Sequence, residues 1–192
     1  EMSEVKMALE RDEILPLREP ELYERYKVSL PNGILFHGPP GCGKTFIARK
    51  LADHMDFHFV EIKPSDLASI YVHGGQKLIG DMFKSAEKNA PSILFIDELD
   101  ALAPSREGHD VGHHYQAEVN ELLVQLNECS KREILVIGAT NFLSNIDKAV
   151  RRPGRLDKKI FIGPPDFEAR YELFQIYLKD RPLKNIDWAR LS

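Results

Sequence analysis

The residues with the clearest chemical purpose are Gly38-Pro39-Pro40-Gly41-Cys42-Gly43-Lys44-Thr45. They follow the apolar run Gly33-Ile34-Leu35-Phe36 and precede FIARKLA, which reads as a helix. Strand, glycine-rich turn and helix in that order point backbone N–H groups inward and form a nest for phosphate oxygens. The helix start adds its own unpaired N–H groups and the positive end of its dipole. Lys44 is placed to reach terminal phosphates, and Thr45 to ligate a magnesium ion bridging them. The run Gly38 to Phe46 is therefore assigned to a nucleoside triphosphate.

Three further groups suit the same chemistry. Ser92-Ile93-Leu94-Phe95-Ile96 is an apolar strand that ends in Asp97 and Glu98. A carboxylate at a strand tip beside a phosphate loop suits magnesium, directly or through water, and that role goes to Asp97. Glu98 is the candidate to orient and polarise an attacking water. Asp100 has no necessary chemical role and reads as solvated or structural. A fourth apolar strand leads through Gly138 into Ala139-Thr140-Asn141. The Asn141 amide carries both donors and an acceptor, enough to hold a γ-phosphate and a water, though Asn also commonly opens a turn. Arg151-Arg152-Pro153-Gly154-Arg155 sets two guanidinium groups, Arg152 and Arg155, around a rigid turn. Their forked donors fit phosphoryl oxygens, of this chain's site or of a neighbour's; a solvated basic loop is the plain alternative. Arg151 reads as the least constrained of the three.

The elements that must hold these groups follow from periodicity. Strands are expected at 33–37, 57–62, 92–96, 133–138 and 159–162. Helices are expected after the phosphate loop to about 54, at 75–89, at 115–126 and at 166–178, with weaker helical stretches at 3–14 and 21–26. Residues 102–113 read as a polar loop, whose His109, together with His113 and His114, lacks the pattern of a metal site. Nearly continuous apolar strands separated by helices imply a parallel sheet covered on both faces, with sites gathered at the carboxyl ends of its strands.

The 192 residues are 43% hydrophobic and 29% charged, enough for one sizeable core, and the net charge of −4 argues against a nucleic-acid-binding surface. There is no run of 18 apolar residues to insert in a membrane. The two cysteines, Cys42 and Cys129, form neither a disulfide framework nor a metal pattern, which fits a reducing compartment. Both ends read as cut from a longer protein. Cys42, beside helix-start N–H groups, is expected to be sensitive to alkylation.

Taken together, Gly38–Thr45, Ile93–Asp100, Gly138–Asn141 and Arg152-Pro153-Gly154-Arg155-Leu156-Asp157 resemble the AAA branch of the AAA+ ATPases. So does the lead-in ILPLREPELYERYKVSLPNGILFHGPPGCGKT, and the resemblance covers nearly the whole chain. It implies an α/β P-loop fold of five parallel strands in the order 5-1-4-3-2. Residues 1–165 would form the large ATPase subdomain and 166–192 a hinge helix with the start of a lid that is otherwise absent. It also implies magnesium-dependent hydrolysis of ATP to ADP in a ring, usually a hexamer, in the cytoplasm or at the cytosolic face of a membrane. Asn141 resembles the family's first sensor, and Arg152 and Arg155 its arginine fingers, which reach a neighbour's nucleotide. Leu173 and Tyr177 match positions that approach adenine or ribose. Tyr71-Val72 matches the pore loop that grips a polypeptide substrate, with His73 where glycine is usual. Cys42 stands where threonine is usual. Protein unfolding or remodelling is the leading expectation. A nucleic-acid motor or loader, a polymer-severing or membrane-complex-dismantling member, and a non-hydrolysing assembly component are the rivals.

Overall fold

The computed structural model describes residues 32–63, 66, 75–105 and 113–179. The expected helices at 3–14 and 21–26, the Tyr71-Val72 loop, His109 and residues 180–192 lie outside them.

Five strands form one parallel sheet: β1 Gly33–His37, β2 His58–Ile62, β3 Ser92–Ile96, β4 Ile134–Thr140 and β5 Lys158–Phe161. Their order, β2-β3-β4-β1-β5, is the expected 5-1-4-3-2 read from the other edge. The helices are α1 Lys44–Met55, α2 Gly75–Lys88, α3 Leu99–Leu102, α4 His113–Leu126 and α5 Phe167–Leu178. Because strand side chains alternate, each central strand feeds two cores. Ile34, Phe36, Ile93, Phe95, Leu135 and Ile137 pack with Ala48, Leu51 and Met55 of α1. Leu35, Leu94, Ile96 and Val136 pack with Ile79 and Phe83 of α2 and with Val119, Leu122 and Leu126 of α4. This two-sided burial is why the central strands carry no charge, and it leaves only their ends for polar chemistry.

Two expectations are corrected. First, β4 does not stop at Gly138 but runs on to Thr140. Gly138 looks like a terminator, yet it is there because the strand is crowded. A Cβ at this position would sit 2.6 Å from Leu99 Cδ2 and 3.1 Å from Leu156 Cδ1. Asn141 is therefore the first residue past the strand. Second, the polar loop expected at 102–113 is not loose over its described residues 102–105. Leu99, Leu102 and Ala103 are buried, which winds the chain into α3, and Pro104 then bridges Ile146. α4 correspondingly begins at His113 rather than Tyr115.

The crowding at Gly138 is testable. Gly138→Ala must displace Leu99 or Leu156, and overpacking of this kind costs about 1–3 kcal/mol. A lower midpoint in urea denaturation is expected; an unchanged midpoint would mean that Leu99 repacks freely.

Candidate active site

The order β3-β4-β1 sets three carboxyl-end tips side by side, and each carries one of the groups singled out above. The β1 tip becomes the phosphate loop. Gly38, Gly41 and Gly43 all have positive φ, at 151°, 76° and 85°. At Gly38 a side chain would also strike the carbonyl of Ile162. A Cβ added at Gly41 would meet nothing within 4 Å, so the positive φ, not lack of space, calls for glycine there. α1 begins with no side-chain cap and no acidic residue in its first turn. Its leading N–H groups and dipole are thus left for an anion. Pro39, Pro40 and Gly41 are exposed, Thr45 is half-buried and Phe46 is exposed. Cys42 is 9% exposed, belongs to the core beneath the loop, and directs its Sγ toward the Pro40 carbonyl at 3.8 Å. An alkylating reagent therefore has to enter that core to reach it.

Lys44 joins two of the tips. The residue is 8% exposed, and its ammonium donates to the carbonyls of Gly38 and Pro39, both at 2.9 Å, and to Asn141 Oδ1 at 2.7 Å. An ammonium has three donors, and all three are used. Because Asn141 accepts through Oδ1, its amide NH₂ remains to donate elsewhere.

The β3 tip turns sharply. Asp97 is half-buried, its N–H donates to Ile62 O at 3.2 Å, and its Oδ1 accepts the Glu98 N–H at 2.9 Å. Glu98 is exposed and sits at φ 49°, ψ 47°, the left-handed conformation that a non-glycine residue adopts at a cost. The other left-handed non-glycine residues described, Asp56 and Glu133, close helical turns; Glu98 instead opens one.

Asp100, expected to be solvated or structural, accepts a 2.6 Å hydrogen bond from Thr140, a residue that sequence reasoning passed over. The available signal was the placement of one acid in the first turn after Glu98 and of a hydroxyl just before Asn141. His37, also passed over, ends β1 with its ring tilted against Phe161 at 5.5 Å. Burial lowers its pKa from 6.5, and the charges of Lys159 and then Lys44 lower it further.

The arginine turn lies at the opposite ends of the strands, near where β1 begins. Asn32 donates to Gly154 O at 2.6 Å and accepts from Ser130 N at 3.3 Å, and Asp157 accepts the Gly154 N–H at 3.1 Å. Arg155 is tethered: Nε donates to Asn127 Oδ1 at 3.1 Å and a guanidinium N–H to Ala149 O at 2.7 Å. Arg152 is exposed. Arg151 is half-buried with a sealed Nε, so it is not the least constrained of the three. On α5, Leu173 is half-buried and Tyr177 exposed, on a helix with no fully buried residue.

Residues 34–164 match the family model described as "ATPase family associated with various cellular activities (AAA)". The chain belongs to the AAA family of ATPases. Among this AAA chain's relatives, the cell division cycle protein 48 homolog of Archaeoglobus fulgidus is 41% identical over 93% of the chain and 24% of its own length. Protein SAV of Sulfolobus acidocaldarius is 40% identical over 100% of the chain and 25% of its own length. The proteasome-activating nucleotidase of Pyrococcus abyssi is 38% identical over 97% of the chain and 47% of its own length. The AAA chain thus spans about a quarter to a half of the length of these three relatives. Among its described residues no helix is long and apolar enough to cross a membrane.

The His37 shift fixes a pH dependence. The unfolded chain binds a proton near the ordinary histidine pKa of 6.5, whereas the folded chain resists it. This contribution to stability is fully present above that pH and falls away as the pH drops below it, until the folded-state pKa is passed. Urea midpoints at about pH 7.5 and about pH 5.5 should therefore lie closer together in His37→Phe than in the unaltered protein. An equal acid loss in both would place the titration elsewhere.

Proposed function

We propose that this chain is the ATP-hydrolysing unit of a ring that remodels or unfolds proteins, working by in-line attack of water on the γ-phosphate of ATP. The observation that supports it most is the convergence at neighbouring strand tips of the phosphate loop, Lys44 and Asn141, with Asp97 and Glu98 beside them. The residues fit the nucleotide: an uncapped helix start, a turn of three positive-φ glycines and a buried lysine make an anion site. They also fit its metal, since the Thr45 hydroxyl and the Asp97 carboxylate are the hard oxygen donors that magnesium takes. Magnesium, when bound, neutralises charge shared between the β- and γ-phosphates.

Each residue then has a definite part. Backbone N–H groups from Gly41 to Thr45 hold the phosphates, with Gly38, Pro39, Pro40 and Cys42 shaping the turn. Lys44 exchanges its loop carbonyls for phosphate oxygen. Asn141 offers its NH₂ to the γ-phosphate. Glu98 accepts a proton from the attacking water as its oxygen bonds to the γ-phosphorus and the bond from that phosphorus to the β–γ bridging oxygen breaks, with ADP leaving on the electron pair. Phe46 flanks the nucleotide, and Leu173 and Tyr177 approach its base or ribose. The fingers Arg152 and Arg155 act on the site of the next subunit, supported by their distance along the strands from their own phosphate loop. Tyr71 and Val72 grip the polypeptide in the pore. The assembly is a hexamer with a chaperone-like role in the cytoplasm, the subdomain boundary falls near residue 165, and nucleic acid is not the substrate. The relatives named for a proteasome-activating nucleotidase and a cell-division-cycle protein support a protein substrate.

Glu98→Gln is expected to bind ATP normally and to hydrolyse it about 10²–10⁴-fold more slowly, the usual worth of a positioned general base. Undiminished turnover would remove Glu98 from the mechanism. Doping intact subunits with Arg152→Ala subunits should depress the ATPase rate by more than the fraction added, because each altered subunit disables a neighbour's site. A rate that simply follows the fraction of intact subunits would contradict action across the interface. An unfolded polypeptide should stimulate the ATPase and single-stranded DNA should not; the reverse would favour a nucleic-acid motor.

A further inference from the structure

Thr140, the last residue of β4, is 1% exposed and joins three parts of the site. Its carbonyl accepts the Gly38 N–H at 3.3 Å, at the start of the phosphate loop. Its hydroxyl donates to Asp100 Oδ1 at 2.6 Å, and the same oxygen accepts the Phe142 N–H at 3.0 Å. The last two bonds straddle Asn141. The residue before it is pinned to α3, and the residue after it is folded back onto that pin. Phe142 itself is 61% exposed, so side-chain burial does little to fix this turn and the hydrogen bonds must. The Thr140–Asp100 distance falls in the range of about 2.5–2.7 Å typical of charge-assisted O–H···O⁻ bonds, roughly twice as strong as neutral ones. Asp100 also lies two residues after Glu98, in the first turn of the helix that Glu98 opens. One carboxylate therefore ties the turn bearing Asn141 to the turn bearing Glu98.

From this geometry we infer that Asp100 is a positioning residue for hydrolysis. Through the Thr140 hydroxyl it sets the Asn141 turn, so that the amide meets Lys44 and the γ-phosphate in register with Glu98. The inference rests on the reading of Asn141 as the γ-phosphate contact. It is distinct from the ordinary benefit of an acid near a helix start, which depends on charge rather than on an acceptor atom aimed at Thr140. A hydrogen-bonded chain of this kind loses its effect when any one link is cut, so the links can be tested singly and together.

The test is steady-state ATPase kinetics on the assembled protein, with ATP affinity and melting temperature measured alongside. Asp100→Ala and Thr140→Val should each lower kcat by about 10–100-fold, the scale of a misplaced catalytic group, with ATP affinity changed by less than about twofold. Asp100→Asn and Thr140→Ser keep the acceptor and the hydroxyl, and should recover most of the lost rate. In an Asn141→Ala background, Asp100→Ala should cost less than about twofold more, because the group it positions is already gone. The inference is overturned if Asp100→Asn is as slow as Asp100→Ala. It is overturned equally if the loss in the Asn141→Ala background is undiminished, or if affinity and melting temperature fall together with the rate. The two levels separate cleanly. If Asn141→Ala turns over at the unaltered rate, the reading of Asn141 falls and this inference with it. If Asn141→Ala is slow while Asp100→Ala is not, only the role of Asp100 falls.

Discussion

The site is organised around one buried cation. Lys44, a residue only 8% exposed, has three ammonium donors to satisfy, and it does so with two carbonyls of its own loop and the Asn141 amide. Leaving any of the three unpaired would cost about 1–3 kcal/mol, the penalty of an unsatisfied buried donor. That requirement fixes how close the β1 and β4 tips must lie, and it dictates which end of the Asn141 amide faces the loop. It also means that an incoming triphosphate does not meet a vacant ammonium. It competes with existing bonds, so anion binding and rearrangement of the loop are one event.

Everything around the lysine serves that closeness. The parallel register pairs His37 with Thr140, so the loop and the Asn141 turn leave the sheet at the same level. Gly33 and Gly138 have no room for a side chain because Leu156 packs over both, and this lets α3 and the arginine turn lie tight against the sheet. The left-handed Glu98 is the strained point of the arrangement, held by the Asp97 cap on its N–H and by the burial of Leu99 immediately after it. At the other end of the strands, Asn32 clips the arginine turn to the start of β1, so a single short strand separates the phosphate loop from the groups that would serve a neighbour.

Much of this was legible in the chain because the relevant physics is local. Glycines at Gly38, Gly41 and Gly43 announce a turn that only they can make, and apolar runs ending in Asp97 and near Asn141 announce buried strands with exposed tips. What was not legible depended on contacts distant in sequence. Gly138 resembled a strand end because nothing nearby in sequence reveals Leu99 and Leu156 pressing on it. Asp100 could be read only as solvated or structural because Thr140, forty residues on, is its partner. Arg155 and Arg152 looked equivalent until Asn127 and Ala149 were found to hold one of them. The stretch from Leu102 looked like loop because the helix it ends, Leu99–Leu102, is too short to show a periodicity.

The most direct test of this account is a structure of the assembled protein with a non-hydrolysable ATP analogue and magnesium. The account requires the β- and γ-phosphates to lie within the Gly38–Thr45 turn. It requires the Lys44 ammonium to have left at least one loop carbonyl for a phosphate oxygen, and the Asn141 NH₂ to face the γ-phosphate while the Thr140–Asp100 bond persists. A triphosphate seated in the turn with Lys44 still holding all three of its present partners, or with Asn141 turned away from the γ-phosphate, would contradict it.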